Sequence, residues 1–349
     1  MDRGLSVSVK KCVIAGAGTG KTTYLLNLAL NAPQGDNVLY LTYTVAASLH
    51  FEKRLKERLG AVPRSITIMT WFSFLLSHGV RPFPYPLPGV RPRGIHFTER
   101  KISPRRGVTR DKPSYYLANK ENDVHSSRLA GLACLCDENA SGEAVRRISD
   151  IFQLILVDEA QDLSSYDYDY LAKLMGTPSS VIVVGDPRQR TYATTHEGAH
   201  LNETVFDYMV GRELCEIDTD SLTVCHRCKP DVVSLANELF PDLPALRPAV
   251  QSVDEHVKIL AEKEFVSYRE ELSAAMSLSW QTKALPIGSC SSMTMGASKG
   301  SEFEDVVVWL TGPMAKWLDD RKAELRPQAR ARLYVAITRA RNNLWLIRP

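Results

Sequence analysis

The sequence of 349 residues predicts an α/β protein built on parallel sheets with helices on both faces. Two observations lead to this prediction. A glycine-rich loop lies between a short apolar run and a helical pattern near residue 15, and a second apolar run ends in a carboxylate cluster near residue 158. Short apolar runs that alternate with helical patterns are typical of buried parallel strands joined by crossover helices.

The first element is the glycine-rich loop, which follows the apolar residues 12–14. Glycines let backbone N–H groups approach phosphate oxygens, and the next helix directs its positive end at the same anion. Lys21 would reach the β and γ phosphates of ATP, and the Thr22 hydroxyl would ligate Mg²⁺. Because Ala15 stands where the strict pattern has glycine, a turn that only joins a strand to a helix is the alternative. The predicted nucleotide-binding residues here are Ala15, Gly16, Ala17, Gly18, Thr19, Gly20, Lys21, Thr22 and Thr23.

The second element is the apolar run of residues 154–157, which is predicted as a buried parallel strand and is followed at once by Asp158 and Glu159. Ligands of open α/β sheets bind at the carboxyl ends of such strands. Asp158 can hold Mg²⁺, and Glu159 can orient or deprotonate the attacking water. A solvated acidic turn is the alternative. The two elements together predict the binding of a nucleotide and Mg²⁺, and the resemblance described next implies that the nucleotide is ATP.

The order of these and later segments resembles the superfamily 1 helicase core of the UvrD/Rep type. The loop at residue 15 and residues 158–162 are similar to the two nucleotide-binding motifs of that family. Other similar segments are residues 41–47, 67–75, 183–189, 222–227, 298–306 and 333–341. The resemblance implies two RecA-like P-loop lobes with ATP in the cleft between them.

The resemblance also implies catalytic roles. Arg227 and Arg339 would approach the γ-phosphate and stabilise the charge that develops there, as planar bidentate donors do well. Gln189 would couple the γ-phosphate to the DNA path. The predicted catalytic residues are Glu159, Gln189, Arg227 and Arg339.

Three further residues are expected at the nucleotide because of the resemblance. Glu302 would hydrogen-bond the ribose, with Gly300 in the same segment. His226 stands where the family usually has the tyrosine that stacks on adenine, and an imidazole ring can also stack.

Contacts to single-stranded DNA are predicted in four parts of the chain. The resemblance places residues 41–47 on the DNA, and aromatic side chains supply stacking surfaces for bases. For Trp71, a place in the hydrophobic core is the alternative. The predicted nucleic-acid residues are Tyr43, Thr44, Thr70, Trp71, Tyr192, Arg105 and Arg106.

Positive charge is concentrated in residues 79–120, which hold ten Lys and Arg against two acidic residues and seven of the nineteen prolines. The net charge of the whole chain is only +3. Such a proline-rich stretch is not a long helix or a central strand. Interleaved arginines and aromatics predict a loop-rich insertion that faces nucleic acid, and a solvated loop without a partner is the alternative.

The domain organisation follows from these segments. Residues 1–78 and 146–210 are expected to form the first lobe, residues 79–145 the basic insertion, and residues 211–349 the second lobe, without a substantial insertion of its own. The predicted strands are residues 38–42, 154–157, 181–184, 306–310 and 344–347.

Composition limits the class of protein. A hydrophobic content of 44% and a charged content of 24% are ordinary for a globular protein, and the absence of long apolar runs predicts a cytoplasmic protein that does not bind a membrane. Seven cysteines allow a four-thiolate metal site from the pairs Cys134/Cys136 and Cys225/Cys228, but reduced thiols are the simpler interpretation.

The function predicted by the resemblance is an ATP-dependent DNA helicase or translocase that moves 3′ to 5′ on single-stranded or partly duplex DNA. The alternative is an ATP- and DNA-binding regulatory subunit of a nuclease complex, for example in anti-phage defence. A small-molecule kinase with a P-loop would leave Arg339 and residues 298–306 unexplained.

Overall fold

The computed structural model describes residues 8–98, 108–110, 112–118, 122–190, 200, 203–252, 254–268, 272–281 and 291–349. The chain divides into two compact units. The first comprises Met1–Ile14, Thr22–Gly185 and Ala193–Asp218, and the second comprises Ala15–Lys21, Asp186–Tyr192 and Thr219–Pro349. The second unit therefore contains most of the glycine-rich loop and the segment after Gly185, in addition to the carboxyl-terminal part of the chain.

A six-stranded parallel sheet forms the centre of the first unit, in the order β3-β2-β6-β7-β1-β8. The strands of this unit are β1 (Lys10–Ile14), β2 (Val38–Thr42), β3 (Ile66–Thr70), β4 (Ile95–His96), β5 (Val124–His125), β6 (Leu154–Val157), β7 (Ser180–Gly185) and β8 (Glu216–Asp218). The short strands β4 and β5 form a separate parallel pair. The predicted strands 38–42, 154–157 and 181–184 are confirmed, because their uninterrupted apolar runs are buried on both faces of the sheet.

Helices pack around this sheet. They are α1 (Lys21–Leu30), α2 (Val45–Leu59), α3 (Trp71–Phe74), α4 (Pro113–Tyr116), α5 (Ser126–Asn139), α6 (Glu143–Ile151), α7 (Tyr166–Met175) and α8 (Val205–Gly211), with a π-helical turn at Leu75–Val80 and a 3₁₀ turn at Ala160–Asp162. Local sequence sets the ends of α2. The Thr44 hydroxyl accepts a hydrogen bond from the Ala47 N–H at 3.2 Å, and Gly60 ends the helix with φ +78°.

The range predicted as an insertion contains both loop and buried helix. Within it, α5 presents Leu129, Leu132 and Ala133 to the hydrophobic core of the first unit, and all three are fully buried. The described residues between Arg81 and Gly94 are turns and irregular chain, as the prolines predict. Strand β8 pairs with β1, so the first sheet extends beyond residue 210.

The second unit has a five-stranded parallel sheet in the order β11-β15-β14-β12-β13. Its strands are β9 (Val224–Cys225), β10 (Arg247–Pro248), β11 (Val257–Ala261), β12 (Met276–Ser279), β13 (Ser292–Thr294), β14 (Phe303–Trp309) and β15 (Ala340–Arg348). Its helices are α9 (Pro230–Leu239), α10 (Glu262–Phe265), α11 (Gly312–Asp319) and α12 (Pro327–Ile337), with 3₁₀ turns at Pro187–Gln189 and Val266–Tyr268. The strand predicted at residues 344–347 lies within β15, and the strand predicted at residues 306–310 overlaps β14, which ends one residue earlier.

Two parallel sheets flanked by helices confirm the predicted α/β fold. None of the helices in the described part of the chain is both long and apolar enough to cross a membrane.

Candidate nucleotide and nucleic-acid sites

The glycine-rich loop follows β1 and has a backbone that needs glycine at two positions. Gly18 and Gly20 have φ values of +70° and +84°, in the left-handed region that side chains with a Cβ rarely adopt. A Cβ at Gly18 would also lie 2.6 Å from the Cβ of Arg227. Ala15, the departure from the strict pattern, has no positive φ, so its methyl group is compatible with the loop.

Lys21 ends this loop and begins α1. Its Nζ donates a hydrogen bond to the Gly16 carbonyl at 3.2 Å, and the Thr19 hydroxyl donates to the same carbonyl at 3.0 Å. These two hydrogen bonds fold the loop back toward the Gly16 carbonyl. The N–H groups of such a loop, together with the positive end of α1, are suited to bind phosphate.

In the first unit, Thr22 and Asp158 come together although 136 residues separate them. The Thr22 hydroxyl donates to Asp158 Oδ2 at 3.3 Å, and the Tyr40 hydroxyl donates to the same oxygen at 2.7 Å. Burial, followed by the charge of Asp158, raises the pKa of Tyr40 well above its ordinary value, so Tyr40 stays a donor. A hydroxyl and a carboxylate are the hard oxygen ligands that Mg²⁺ prefers, so these residues fit the predicted metal.

Glu159 has a left-handed backbone, with φ 54°. A non-glycine residue in this conformation carries a backbone cost that is frequently found at functional sites. The Gln161 side chain donates a hydrogen bond to Glu159 Oε2 and thereby orients the carboxylate. A Cβ at Gly185 would lie 2.5 Å from Gln161 Oε1, so glycine at the end of β7 makes room for that amide.

A buried hydrogen-bond network connects the glycine-rich loop to the segment after β7 within the second unit. The Ala17 N–H donates to the Tyr334 hydroxyl at 3.1 Å, and this hydroxyl donates to Asp186 Oδ2 at 3.0 Å. Gln189 Nε2 donates to the same Asp186 oxygen at 2.9 Å. The predicted residue Gln189 is therefore fixed by a carboxylate that also holds the loop through Tyr334.

The two predicted arginines are held differently. Arg227 Nε lies 2.9 Å from Glu302 Oε2, and its Nη1 donates to the Thr338 carbonyl at 3.2 Å. Arg339 is only 2% exposed and donates from Nε to the Val335 carbonyl and from Nη1 to the Ser301 carbonyl, both at 2.9 Å. Both guanidinium groups are thus oriented by hydrogen bonds within the second unit.

The remaining predicted nucleotide contacts lie in the same unit. His226 has an exposed side chain, and its backbone N–H donates to the Gly18 carbonyl at 2.9 Å. Glu302, predicted to bind ribose, forms the ion pair with Arg227, and Gly300 has a positive φ of +83°.

The cysteines give no support to a metal site. The six that are described are free thiols, and no group of three or more metal-ligating side chains occurs in the described part of the chain. A hydrogen bond with Cys228 lowers the pKa of Cys225 to about 6, next to Arg227.

Three of the predicted nucleic-acid residues line a groove in the first unit with a volume of about 570 Å³. These are Tyr43, Thr44 and Thr70, at the carboxyl ends of β2 and β3. The prediction for Trp71 is wrong, because this side chain is 1% exposed and its indole donates to buried Asp167 at 2.7 Å. An indole without an exposed face cannot stack on a base.

Three of the other predictions for nucleic-acid contacts fall outside the described residues. They concern Tyr192, Arg105 and Arg106.

Several residues of these sites were missed from the sequence. Tyr334 and Asp186 lie inside the segments similar to the helicase motifs, so those segments themselves were the available signal. Gln161 has the same signal, two residues after Glu159. Phe72 also lines the groove and lies in the similar segment 67–75, whereas no pattern in the sequence distinguishes Phe97, a further lining residue, from other aromatic residues.

A glycine-rich loop between a strand and a helix, a Thr–Asp pair suited to Mg²⁺ and two parallel α/β sheets are typical of P-loop nucleotide-hydrolysing enzymes. Two family models match the chain: an AAA domain over residues 6–195 and the viral superfamily 1 RNA helicase core domain over residues 140–348. The chain belongs to the superfamily 1 helicases, and the predicted helicase core is confirmed.

The fold is supported by one solved structure. A structure of arterivirus nonstructural protein 10, a helicase, in complex with DNA matches with a TM-score of 0.50 and 17% identity, covering 97% of this chain and 61% of that chain. A crystal structure of arterivirus nonstructural protein 10 matches with a TM-score of 0.49 and 17% identity, over 97% and 59% of the two chains. The chain thus spans about 60% of the length of these helicases. No curated protein sequence matches the chain.

Proposed function

We propose that this chain hydrolyses ATP and uses the hydrolysis to move along single-stranded DNA. The observation that carries the proposal is the hydrogen bond from the Thr22 hydroxyl to Asp158. Thr22 directly follows Lys21 in the chain. Binding of a nucleoside triphosphate with Mg²⁺ requires a lysine for the phosphates, and a hydroxyl and a carboxylate for the metal ion.

In the proposed reaction, the N–H groups of residues 16–22 and the Lys21 ammonium hold the β and γ phosphates. Thr22 and Asp158 would hold Mg²⁺, which, when bound, neutralises charge on these phosphates. The Tyr40 hydroxyl keeps Asp158 in place from the side. These residues position the triphosphate and reduce repulsion of the attacking water.

Glu159 is the proposed general base. Its carboxylate accepts a proton from the water that attacks the γ-phosphate, and Gln161 holds the carboxylate in a fixed orientation. Hydrolysis breaks the bond between the γ-phosphorus and the bridging oxygen, which leaves with ADP. Arg227 and Arg339 are proposed to stabilise the negative charge on the transferring group.

The nucleic acid is proposed to bind along the groove of the first unit, where Tyr43, Thr44 and Thr70 lie. Of the two solved helicases, one is a complex with DNA, whereas the matched family model describes RNA helicases. We take DNA as the substrate, with 3′ to 5′ movement as in the UvrD type. Residues 79–145 are proposed as an insertion whose Arg105 and Arg106 extend this binding surface.

The test is steady-state ATP hydrolysis by the purified chain with Mg²⁺, with and without single-stranded DNA, and with Lys21→Ala as the blank. We expect hydrolysis that DNA stimulates and that the blank lacks. If the wild type and Lys21→Ala hydrolyse ATP equally, the assigned nucleotide site is refuted. The same assay with RNA of equal length decides between the two nucleic acids.

A nuclease-regulating subunit, as in anti-phage defence, is the alternative for a chain whose hydrolysis is indifferent to DNA. A chain of this kind would bind ATP and DNA without moving along the DNA. Displacement of a streptavidin block from either end of a biotinylated single strand separates the two functions. It also reports the direction of movement.

A further inference from the structure

We infer that Phe97 is a base-stacking residue, which together with Phe72 and Tyr43 forms an aromatic wall for an unpaired nucleobase in the groove of the first unit. The inference rests on the proposed function and adds Phe97, which lies outside the segments similar to the helicase motifs. Phe97 lies directly after β4, within residues 79–145.

The aromatic wall is continuous and partly exposed. The ring of Tyr43 lies 5.1 Å from that of Phe72, and Phe72 lies 5.3 Å from Phe97, with the latter pair in edge-to-face geometry. Phe97 is 64% exposed, although an aromatic ring of this size normally gains stability by burial. An exposed ring at the end of a packed aromatic series is suited to receive a further planar group.

The polar part of the groove points to a nucleic acid as the occupant. Thr98, Ser126 and Ser127 contribute hydroxyl groups, as do Thr44 and Thr70, whose oxygens also accept hydrogen bonds from the N–H groups of Ala47 and Ser73. Hydroxyl groups both donate and accept hydrogen bonds, so they can serve the mixed donors and acceptors of a base edge. An apolar peptide would leave these hydroxyl groups without hydrogen-bond partners from the ligand.

Three helices of ten or more residues, α2, α5 and α7, have N-terminal residues that line the groove. The first turns of α2 and α5 carry no acidic residue, whereas the first turn of α7 contains Asp167 and Asp169. Helix N-termini attract anions, so α2 and α5 can draw in a phosphate backbone.

No Lys or Arg occurs among the described residues that line the groove, whose one ionisable acid is buried Asp167. The groove therefore offers stacking surfaces and partial positive charges rather than ammonium or guanidinium groups. Binding through it should depend on the bases of the ligand and only weakly on salt, because few counterions are released when no cationic side chain pairs with a phosphate.

The experiment measures binding of a fluorescein-labelled oligothymidine of about 12 nucleotides to Phe97→Ala, Phe97→Leu and Phe97→Trp. We expect Phe97→Ala and Phe97→Leu to bind roughly 5- to 150-fold more weakly than the wild type, and Phe97→Trp to bind at least as well. The salt dependence of binding should stay unchanged in all three variants. ATP hydrolysis without DNA should also stay unchanged, since Phe97 is exposed and lies outside the nucleotide-binding segments.

Two controls sharpen the result. Tyr85→Ala removes an aromatic ring that is 63% exposed in the same region and does not line the groove, so its affinity should equal that of the wild type. An abasic oligonucleotide of the same length keeps the phosphates and lacks the bases, so the wild type and Phe97→Ala should bind it equally.

The possible failures are distinguishable. If the wild type binds oligothymidine and Phe97→Ala or Phe97→Leu binds it equally well, stacking on Phe97 is refuted and the proposed function stands. A loss of affinity that persists with the abasic strand also refutes stacking, because no base is then present. If the wild type neither binds oligothymidine nor responds to it in ATP hydrolysis, the nucleic-acid part of the proposed function fails as well.

Discussion

Replacing Tyr334 by phenylalanine tests whether the glycine-rich loop depends on the buried network of the second unit. The substitution removes one hydroxyl, which accepts a hydrogen bond from the Ala17 N–H and donates one to Asp186. Burial and the charge of Asp186 raise the pKa of Tyr334 well above its ordinary value, so this hydroxyl is protonated at any working pH. The side chain is fully buried, so water has little access to replace the lost oxygen.

The expected cost follows from the two bonds. A buried N–H that loses its acceptor costs about 1–3 kcal/mol. Asp186 keeps the hydrogen bonds from the Arg188 N–H at 3.1 Å and from Gln189 at 2.9 Å. Losing the hydrogen bond from Tyr334 to Asp186 should therefore cost the ordinary net value of about 1 kcal/mol in the free energy of unfolding. We therefore expect the second unit to be destabilised by about 3 kcal/mol. Because Ala17 belongs to the glycine-rich loop that we propose binds phosphate, ATP affinity should fall by about tenfold, which corresponds to 1.4 kcal/mol.

Two assays measure these effects: urea unfolding followed by circular dichroism, and titration with a fluorescent ATP analogue. Tyr208→Phe is the matched control, since Tyr208 donates one hydrogen bond to Asp169 at 2.7 Å in the first unit. This control should leave ATP affinity unchanged. If Tyr334→Phe unfolds at the wild-type urea concentration and binds ATP as tightly, the network does not support the loop.

Three further predictions concern other parts of the molecule. Glu159→Gln should bind ATP as the wild type does and hydrolyse it at least roughly 100-fold more slowly, since it removes the proposed base; an undiminished turnover number would exclude this role. Burial raises the pKa of Asp167 to about 6 from 3.8, so its contribution to stability is full below about pH 4 and is lost as the pH rises through about 6. Asp167→Asn should flatten the pH dependence of the unfolding midpoint in this window, and an unaltered curve would contradict the assignment. Replacing Arg105 and Arg106 by alanine should weaken DNA binding regardless of sequence and reduce its salt dependence by roughly one unit of slope per lost phosphate contact; an unchanged slope would return these residues to a solvated loop.

The central strands β2 and β6 were predictable because each is a short and almost wholly apolar run. Residues 38–42 and 154–157 are strands with the predicted bounds, and both lie in the interior of the first sheet. Helix α5 was not predicted, since residues 79–145 were treated as one loop-rich segment on the strength of their charge and prolines. Those features end near residue 120, and α5 begins at Ser126.

Trp71 shows where the residue type alone is insufficient. An indole near the carboxyl end of a strand can face either a ligand or the core, and the sequence does not decide between them. The deciding group is Asp167, 96 residues away, which accepts the indole hydrogen bond. Tyr334 is a similar case, because its partner Ala17 is 317 residues distant.

The candidate sites follow a common geometric rule, which explains why most of them could be found in the sequence. Ala15 follows β1, Tyr43 follows β2, Asp158 follows β6 and Asp186 follows β7. All four strands are parallel, so their carboxyl ends lie at one edge of the sheet, where ligands of open α/β sheets bind. Phe97 follows a strand that is not part of that sheet, so the rule gives no reason to select it. Its exposure and its contact with Phe72 become visible only in the folded chain, and for that reason its role depends on the binding measurements with Phe97→Ala and Phe97→Leu.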